Sequence, residues 1–528
     1  MKFLSDLRAG LAVALTVLLS LTVSALADDP SSGFYNVRSY GATGNGKTLD
    51  SPSINKAIDA CSQAGGGTVY FPAGTYLSGS IHMKDNIHLL IDAGATILGA
   101  PQDMNAYDET EPWTNNPYQD GGHCYFHNSL IWGVGLTNIS ITGQGMISGG
   151  GLTRSDGILD RMCGNKAWGS KTNSPVPLGK HGIVSITNYP PSRLGNKAIG
   201  LKLCRNVLIR DITIYHGGHF AILATGDTDM TVDNVTMDTD RDGIDIDCCR
   251  NTMVSNCRIN SPNDDGLCPK STYALGRLVP TENLTIVNCQ VSGFQVGTLL
   301  DGTMKEKKGG TGRIKCGTES NGGFRNITIS NCTFRDCRGL ALEEVDGGLM
   351  ENISINNITM MDVQSYPIYI TMGTRCRGPG ATVGTVRNIQ ISNVIATGVD
   401  KNSGIQIMGV PGHDIQDVRL DNIRMVFNGG GTSKDAARTP KELGKGYPEP
   451  SNLGMMPAYG LFARHVSGLE LANINFNFAT NDLRPVMICS DINGLEIDNL
   501  KGQTAPGVAP AKFDSVTGLV IRDSPGLQ

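Results

Sequence analysis

The chain has 528 residues, 44 basic against 49 acidic, for a formal charge of −5, with 39% hydrophobic and 18% charged residues. Without a basic excess it is poorly suited to neutralise a phosphate backbone, which argues against nucleic acid as a partner. Glycine contributes 67 residues; this is a globular composition with surplus glycine, which disfavours disorder and long coiled coils.

The first element is a leader. Lys2 and Arg8 precede an apolar run from Ala9 to Val23, and Ala25-Leu26-Ala27 fits a small-x-small cleavage site, the anatomy of a secretory signal peptide over residues 1–27. No later stretch is long and apolar enough to span a bilayer. The product is expected to be secreted or periplasmic and monomeric, with residues 28–528 as one domain. Next, Ser53 to Cys61 places Ile54, Ala57, Ile58 and Cys61 on one helical face, and Gly65-Gly66-Gly67 ends the helix. Strands follow in TVYFPAGTYLSGSIHMKDNIHLLIDAGATILGA.

From Asn138 onward one pattern recurs: Asn, apolar or Thr, any, apolar, any, Asn or Asp. Copies begin at Asn206, Asn251, Asn283, Asn326, Asn352 and Asn388 and close at Asp211, Asn256, Asn288, Asn331, Asn357 and Asn393. Looser copies start at Asp229, Asp417, Gly468 and Gly494. The apolar residues inside alternate with period two, which is a half-buried strand. Strand units repeating at this short interval, with loops of variable length, predict an all-β fold: a single right-handed parallel β-helix with an N-terminal capping helix. A propeller blade needs about 40 residues and does not fit. Stacked coils would line up the Asn residues as ladders along the axis, and the ladder accounts for Asn326 and Asn352 better than glycosylation does. Of the 14 cysteines, Cys257, Cys289 and Cys332 occupy one repeated slot as small buried hydrophobes. Other pairs remain open to bridging. No Cys/His spacing suits zinc, and no metal or cofactor is implied.

Acidic residues concentrate in DTDRDGIDID, with Asp240, Asp242, Asp245 and Asp247, and in NDDGLC, with Asp264 and Asp265. One coil of spacing brings Asp242 within about 5 Å of the pair. The Asn register favours Asp264 as its stacked partner; the Asp-Gly match favours Asp265. Three such carboxylates repel, so one should have a raised pKa, supplying the acid and base of glycosidic hydrolysis. A solvated acidic turn or a Ca²⁺ site is the alternative. By strand parity Asp245 and Asp247 face out, and Asp242 needs a bend at Gly243 to reach the groove. Trp113 and Trp132 are candidates for stacking on sugars or for packing. Lys305, Lys307 and Lys308 read as loop charges, and Gly429 to Pro450 as a long exposed loop.

The segment YGATGNGKTLDSPSINKAIDACSQAGGGTVYFPAGTY resembles the N-terminal signature of pectin-degrading β-helix proteins, and RDGIDID with NDDGLCPKS resembles the catalytic centre of glycoside hydrolase family 28, the polygalacturonases. The resemblance implies hydrolysis of a galacturonate-containing pectic chain with inversion, Asp264 as general acid, and Asp242 with Asp265 activating water across a gap of about 6.5–9.5 Å. It also implies substrate binding by the Arg313-Ile314-Lys315 pair and by Lys270; apart from the resemblance, His219, in YHGGHF, is a candidate to line the groove or to fill a polar core slot. Three departures stand out. The family's Asn-Thr-Asp reads Asp240-Arg241-Asp242; no histidine occupies the family's His-Gly position, where Thr311 falls; and the Arg-x-Lys pair comes one coil early, with Glu343 and Glu344 where it was expected. A β-helix polysaccharide lyase using Ca²⁺, and a non-catalytic carbohydrate-binding solenoid, are the competing functions.

Overall fold

The computed structural model describes residues 33–111, 121–154, 194–402 and 404–527, with the short strands Pro177–Leu178 and Gly182–Ile183 between. The leader over 1–27 and Trp113 lie outside the described residues. Helix α1 (Ser51–Gln63) buries Ile54, Ala57, Ile58 and Cys61 against the first coil and stops where Gly66 N–H bonds to Cys61 O at 3.0 Å. It covers the open end of the apolar core, as its amphipathic face requires.

From there the strands pair in parallel, coil on coil. Three faces repeat. One contains Arg205–Arg210, Thr228–Asp233 and Arg250–Ser255; the next contains Thr213–Tyr215, Thr236–Asp238 and Arg258–Asn260. The third is the site-bearing face. It stacks β1 (Lys197–Lys202), β2 (Phe220–Thr225), β3 (Asp242–Asp247), β4 (Leu267–Lys270), β5 (Ile314–Cys316), β6 (Leu340–Glu344) and β7 (Ile368–Met372). A single inward column, Ile199, Ile222, Ile244, Leu267, Ile314, Leu340 and Ile368, runs in register through all seven and is fully buried.

Asn residues mark the corners. Asn206, Asn251, Asn283, Asn326, Asn352 and Asn388 all hold φ between 54° and 59°, the left-handed region that asparagine tolerates. Each amide donates to the rung above: Asn326 to Asn283 at 3.1 Å, Asn352 to Asn326 at 3.0 Å, Asn388 to Asn352 at 2.7 Å. A second ladder runs Asn288 to Asn256, Asn331 to Asn288 and Asn357 to Asn331. The looser copies obey the same backbone rule, with Asp229, Asp417, Gly468 and Gly494 in the left-handed slot. Cys257, Cys289 and Cys332 share one slot as anticipated, each buried with its thiol pointed at the carbonyl two residues back, at 3.2, 3.4 and 3.3 Å. The cysteines among the described residues are free thiols, so no pair there is bridged.

The segment over 429–450 is not the exposed loop its composition suggested. It carries a helical turn, Ser433–Ala436, closed by a Thr432–Asp435 capping box. It then lays Leu443 and Pro448 into buried positions and brings Glu449 against the site-bearing face. Leu453, Met456, Tyr366, Tyr369 and Phe462 pack together beyond it, covering the outer surface of β6 and β7. No helix among the described residues is long and apolar enough to cross a membrane.

Candidate active site

The carboxylates come together at the start of β3 and in the turn before β4. Asp242, Asp264 and Asp265 each offer an oxygen within 4.8 Å of the others. The register decides the open pairing. Ile244 sits over Leu267 and Gly243 N–H bonds to Asp265 O at 2.9 Å, so Asp265 is the stacked partner of Asp242. The preceding corner keeps a 22-residue step, as Asp238 over Asn260 shows. The turn at Pro262 to Asp264 therefore holds one extra residue, which pushes Asp264 outward.

Gly243 supplies the bend that Asp242 needs. A Cβ there would lie 2.3 Å from Gly266 O and 2.7 Å from Ile259 Cγ2, so only glycine lets the chain press inward at that point. Alternation fails locally and Asp242 joins the outer carboxylates. Asp245 and Asp247 do leave the core, yet both are fully buried, since His123 and Phe126 from the 121–128 segment roof that part of the face.

Exposure separates the three roles. Asp242 and Asp265 are 2% and 1% exposed, whereas 28% of the Asp264 side chain is open. Four cations answer them. Arg313 Nε and Lys315 Nζ both lie 2.5 Å from Asp265, one on each carboxylate oxygen. Arg241 forks onto Asp264 Oδ2 from Nε at 3.1 Å and Nη2 at 2.8 Å, with Asp242 3.6 Å from the same Nη2. Lys270 lies 3.3 Å from Asp245 and 3.5 Å from Glu319.

These contacts set the charges. Burial, and then the neighbouring Asp264 and Asp245 charges, push Asp242 well above the usual carboxylate range. Burial works the same way on Asp264, but Arg241 overrides it and holds that carboxyl low. Burial is overridden further at Asp265, which Arg313 and Lys315 keep far below the ordinary range. Asp245 is driven up to about 7 by burial. The site thus contains a carboxyl that retains its proton and two held as anions. The cluster has the spacing of a cation site, but guanidinium and ammonium groups already neutralise its anions, so the donor set does not call for a metal ion.

The remaining expectations need revision. Arg313 and Lys315 share a face as parity required, but both are committed to Asp265 and only 2% exposed; Arg313 also meets Tyr366 Oη and Glu449 Oε2, the latter at 3.2 Å. Lys270 is sunk between Asp245 and Glu319 and does not front the groove. His219 is fully buried beneath Arg241: its Nδ1 lies 3.0 Å from Arg154 O and its Nε2 3.0 Å from Arg241 Nη1. Trp132 is a packed ring, with Nε1 donating to Asp108 at 2.9 Å and His127 stacked on it at 4.1 Å. Lys305 and Lys308 are exposed loop charges, while Lys307 Nζ donates to Pro262 O at 3.0 Å. Nor is there a gap of about 6.5–9.5 Å in this resting arrangement, where oxygens of all three carboxylates lie within 4.8 Å of one another.

Sequence reasoning missed Arg241 as a partner of the acid, although the departure from Asn-Thr-Asp was its signal. It also missed Glu449, which bridges Arg313 at 3.2 Å and Arg338 Nη1 at 2.9 Å. Glu343 lies fully buried beside these groups and is pushed up to about 7 by burial.

A parallel β-helix with a carboxylate cluster on an outer face defines a class shared by several carbohydrate-active proteins. Residues 34–268 match the model described as rhamnogalacturonase A/epimerase, pectate lyase-like, and residues 197–374 match that of the right-handed β-helix region. The chain is 28% identical over 251 residues to an exo-poly-alpha-D-galacturonosidase of Dickeya chrysanthemi, covering 43% of this chain and 40% of that protein. It is 29% identical over 257 residues to a probable polygalacturonase of Vitis vinifera, covering 47% of each. These alignments span less than half the length of either relative. Among solved structures, an exopolygalacturonase from Thermotoga maritima superposes with a TM-score of 0.58 at 23% identity, over 75% of this chain and 87% of that one, a likeness of fold. The chain is thus similar in sequence to polygalacturonases over part of its length, and in fold to an exopolygalacturonase.

Proposed function

We propose that this protein is a hydrolase of glycosidic bonds in galacturonate-containing pectic chains, acting outside the cytoplasm once residues 1–27 are removed, with residues 28–528 as the catalytic unit. The observation that carries this reading is the pairing of one outward carboxyl, Asp264, with two enclosed ones, Asp242 and Asp265, on adjacent coils. Asp264 alone presents enough surface to meet a glycosidic oxygen, so it donates the proton. Asp242 and Asp265, held by Gly243 and by the Arg313–Lys315 pair, orient the attacking water, and the anionic Asp265 takes its proton. Inversion on this reading requires the carboxylates to move apart when substrate enters. Arg241, the most exposed of the four cations, favours a chain that carries carboxylates, and the names of the sequence relatives point the same way.

Product analysis on polygalacturonan, rhamnogalacturonan and decorated pectin, with wild type beside Asp264→Asn, tests the proposal. Saturated products from wild type and none from the variant support it. Products absorbing through a new C4–C5 double bond would favour a lyase instead, and unchanged behaviour of Asp264→Asn would remove the assigned acid.

A further inference from the structure

Resting on the hydrolase reading, the resting geometry presents a difficulty: the outward carboxyl that must donate a proton is gripped by a guanidinium. Arg241 Nε and Nη2 both reach Asp264 Oδ2, at 3.1 and 2.8 Å. A carboxylate receiving two charge-assisted hydrogen bonds resists protonation. Arg241 must therefore leave before Asp264 can act as an acid. Among the four cations described around the carboxylates its side chain is the most exposed, at 23%, against 8% for Lys270, 3% for Arg313 and 2% for Lys315.

We propose that Arg241 is a substrate-gated positioning residue: it grips Asp264 in the resting enzyme and transfers to the carboxylate of an incoming uronate, leaving Asp264 to take up a proton. The exchange balances in charge. The uronate brings one negative charge and replaces Asp264 on the guanidinium; a proton from bulk water then adds to a carboxylate oxygen of Asp264, and that proton later passes to the glycosidic oxygen. A neutral or esterified sugar has no carboxylate to draw Arg241 away, so the acid stays ionised and the bond is not cut.

The groups facing Asp264 favour uptake of the proton once Arg241 is gone. Asp265 and Asp242 lie within 4.8 Å on the adjoining strands, and Asp245 lies behind them. Lys315 and the Tyr447 phenol face it from β5 and from the 429–450 segment, and Lys315 is committed to Asp265. On the other side of Arg241, its Nη1 lies 2.5 Å from His219 Nδ1 and 3.0 Å from His219 Nε2, and Nδ1 also faces Arg154 O at 3.0 Å. That contact holds the guanidinium in its resting position.

The test is a pH profile of Arg241→Gln on a free-acid and a methyl-esterified pectic oligosaccharide. Asp264 is then no longer gripped, so the falling limb of kcat/KM moves up by about one pH unit or more. KM for the free-acid chain rises about ten-fold or more, while the ester, which wild type leaves uncut, becomes a substrate. A merely structural role would move neither the limb nor the acid-to-ester ratio. If Arg241→Gln does not fold, Arg241→Lys, which keeps the charge but loses the fork, should shift both readouts in the same direction by less. An active wild type whose variants keep the same limb and ratio overturns the gating role while leaving the hydrolase reading intact. A wild type inactive on every pectic chain overturns both.

Discussion

Lys315 Nζ and Asp265 Oδ2 lie 2.5 Å apart across neighbouring coils, both almost wholly out of solvent, with Arg313 Nε at the same distance from the other oxygen. A buried anion held by two buried cations is stable only while all three are present. Removing one member leaves uncompensated charge at the base of the carboxylate cluster.

Asp265→Asn should therefore lower stability as well as activity. Losing one side of a buried pair costs about 3–5 kcal/mol. Chemical denaturation should detect it, whereas Asp264→Asn, at the more exposed position, should unfold within about 1 kcal/mol of wild type while losing about 10²–10⁴-fold in kcat.

Gly243→Ala tests the bend. Its Cβ would meet Gly266 O at 2.3 Å and Ile259 Cγ2 at 2.7 Å, so backbone must shift and Asp242 moves with it. A displacement of about 1 Å at a reacting group is worth about 10²-fold in rate. Steady-state kinetics should report a loss mainly in kcat, with KM little changed.

Glu343 predicts a pH dependence of stability. Burial raises its carboxyl from 4.5 to about 7 in the folded chain. Between those values the folded state holds a proton that the unfolded state has released, so stability is fully present below the unfolded pKa and falls as pH rises toward 7. The slope is at most about 1.4 kcal/mol per pH unit for one such group. Glu343→Gln should flatten the decline in melting temperature between pH 5 and 7, and an unchanged slope would mean the side chain does not titrate there. Asp265 runs the other way: its depressed pKa gives stability that is present above the ordinary carboxylate range and lost only under strong acid.

The ladders offer a mutational comparison. Asn331→Ala removes amide bonds to Asn288 and Asn357 and places an ordinary side chain at φ 55°. A cost of about 1–3 kcal/mol is expected by denaturation, and Asn331→Gly should lose less because it keeps the left-handed backbone without strain.

Much of the helix was legible because its signals are local. The Asn positions announce left-handed corners, and alternating apolar residues between them announce strands whose faces must stack. The Asp242 register stayed open between Asp264 and Asp265 because an insertion in the Pro262–Asp264 turn breaks the equivalence of the two signals that measured it. Asp245 and Asp247 were rightly turned away from the core, but no local pattern reveals that residues 121–128 fold over them. Arg313 and Lys315 were found as a pair, and their engagement with Asp265 depends on two coils meeting. Glu449 was illegible for the same reason at longer range, since its polar, glycine-rich segment looks like any surface loop until its path over β5 and β6 is known.

The most direct measurement follows the anomeric proton of the first product released from a pectic oligosaccharide by NMR, wild type beside Asp264→Asn. Saturated products with inverted anomeric configuration, absent from the variant, are the predicted result. Retained configuration, an unsaturated product, or equal turnover by Asp264→Asn would contradict the assignment of Asp242, Asp264 and Asp265 as an inverting hydrolytic centre.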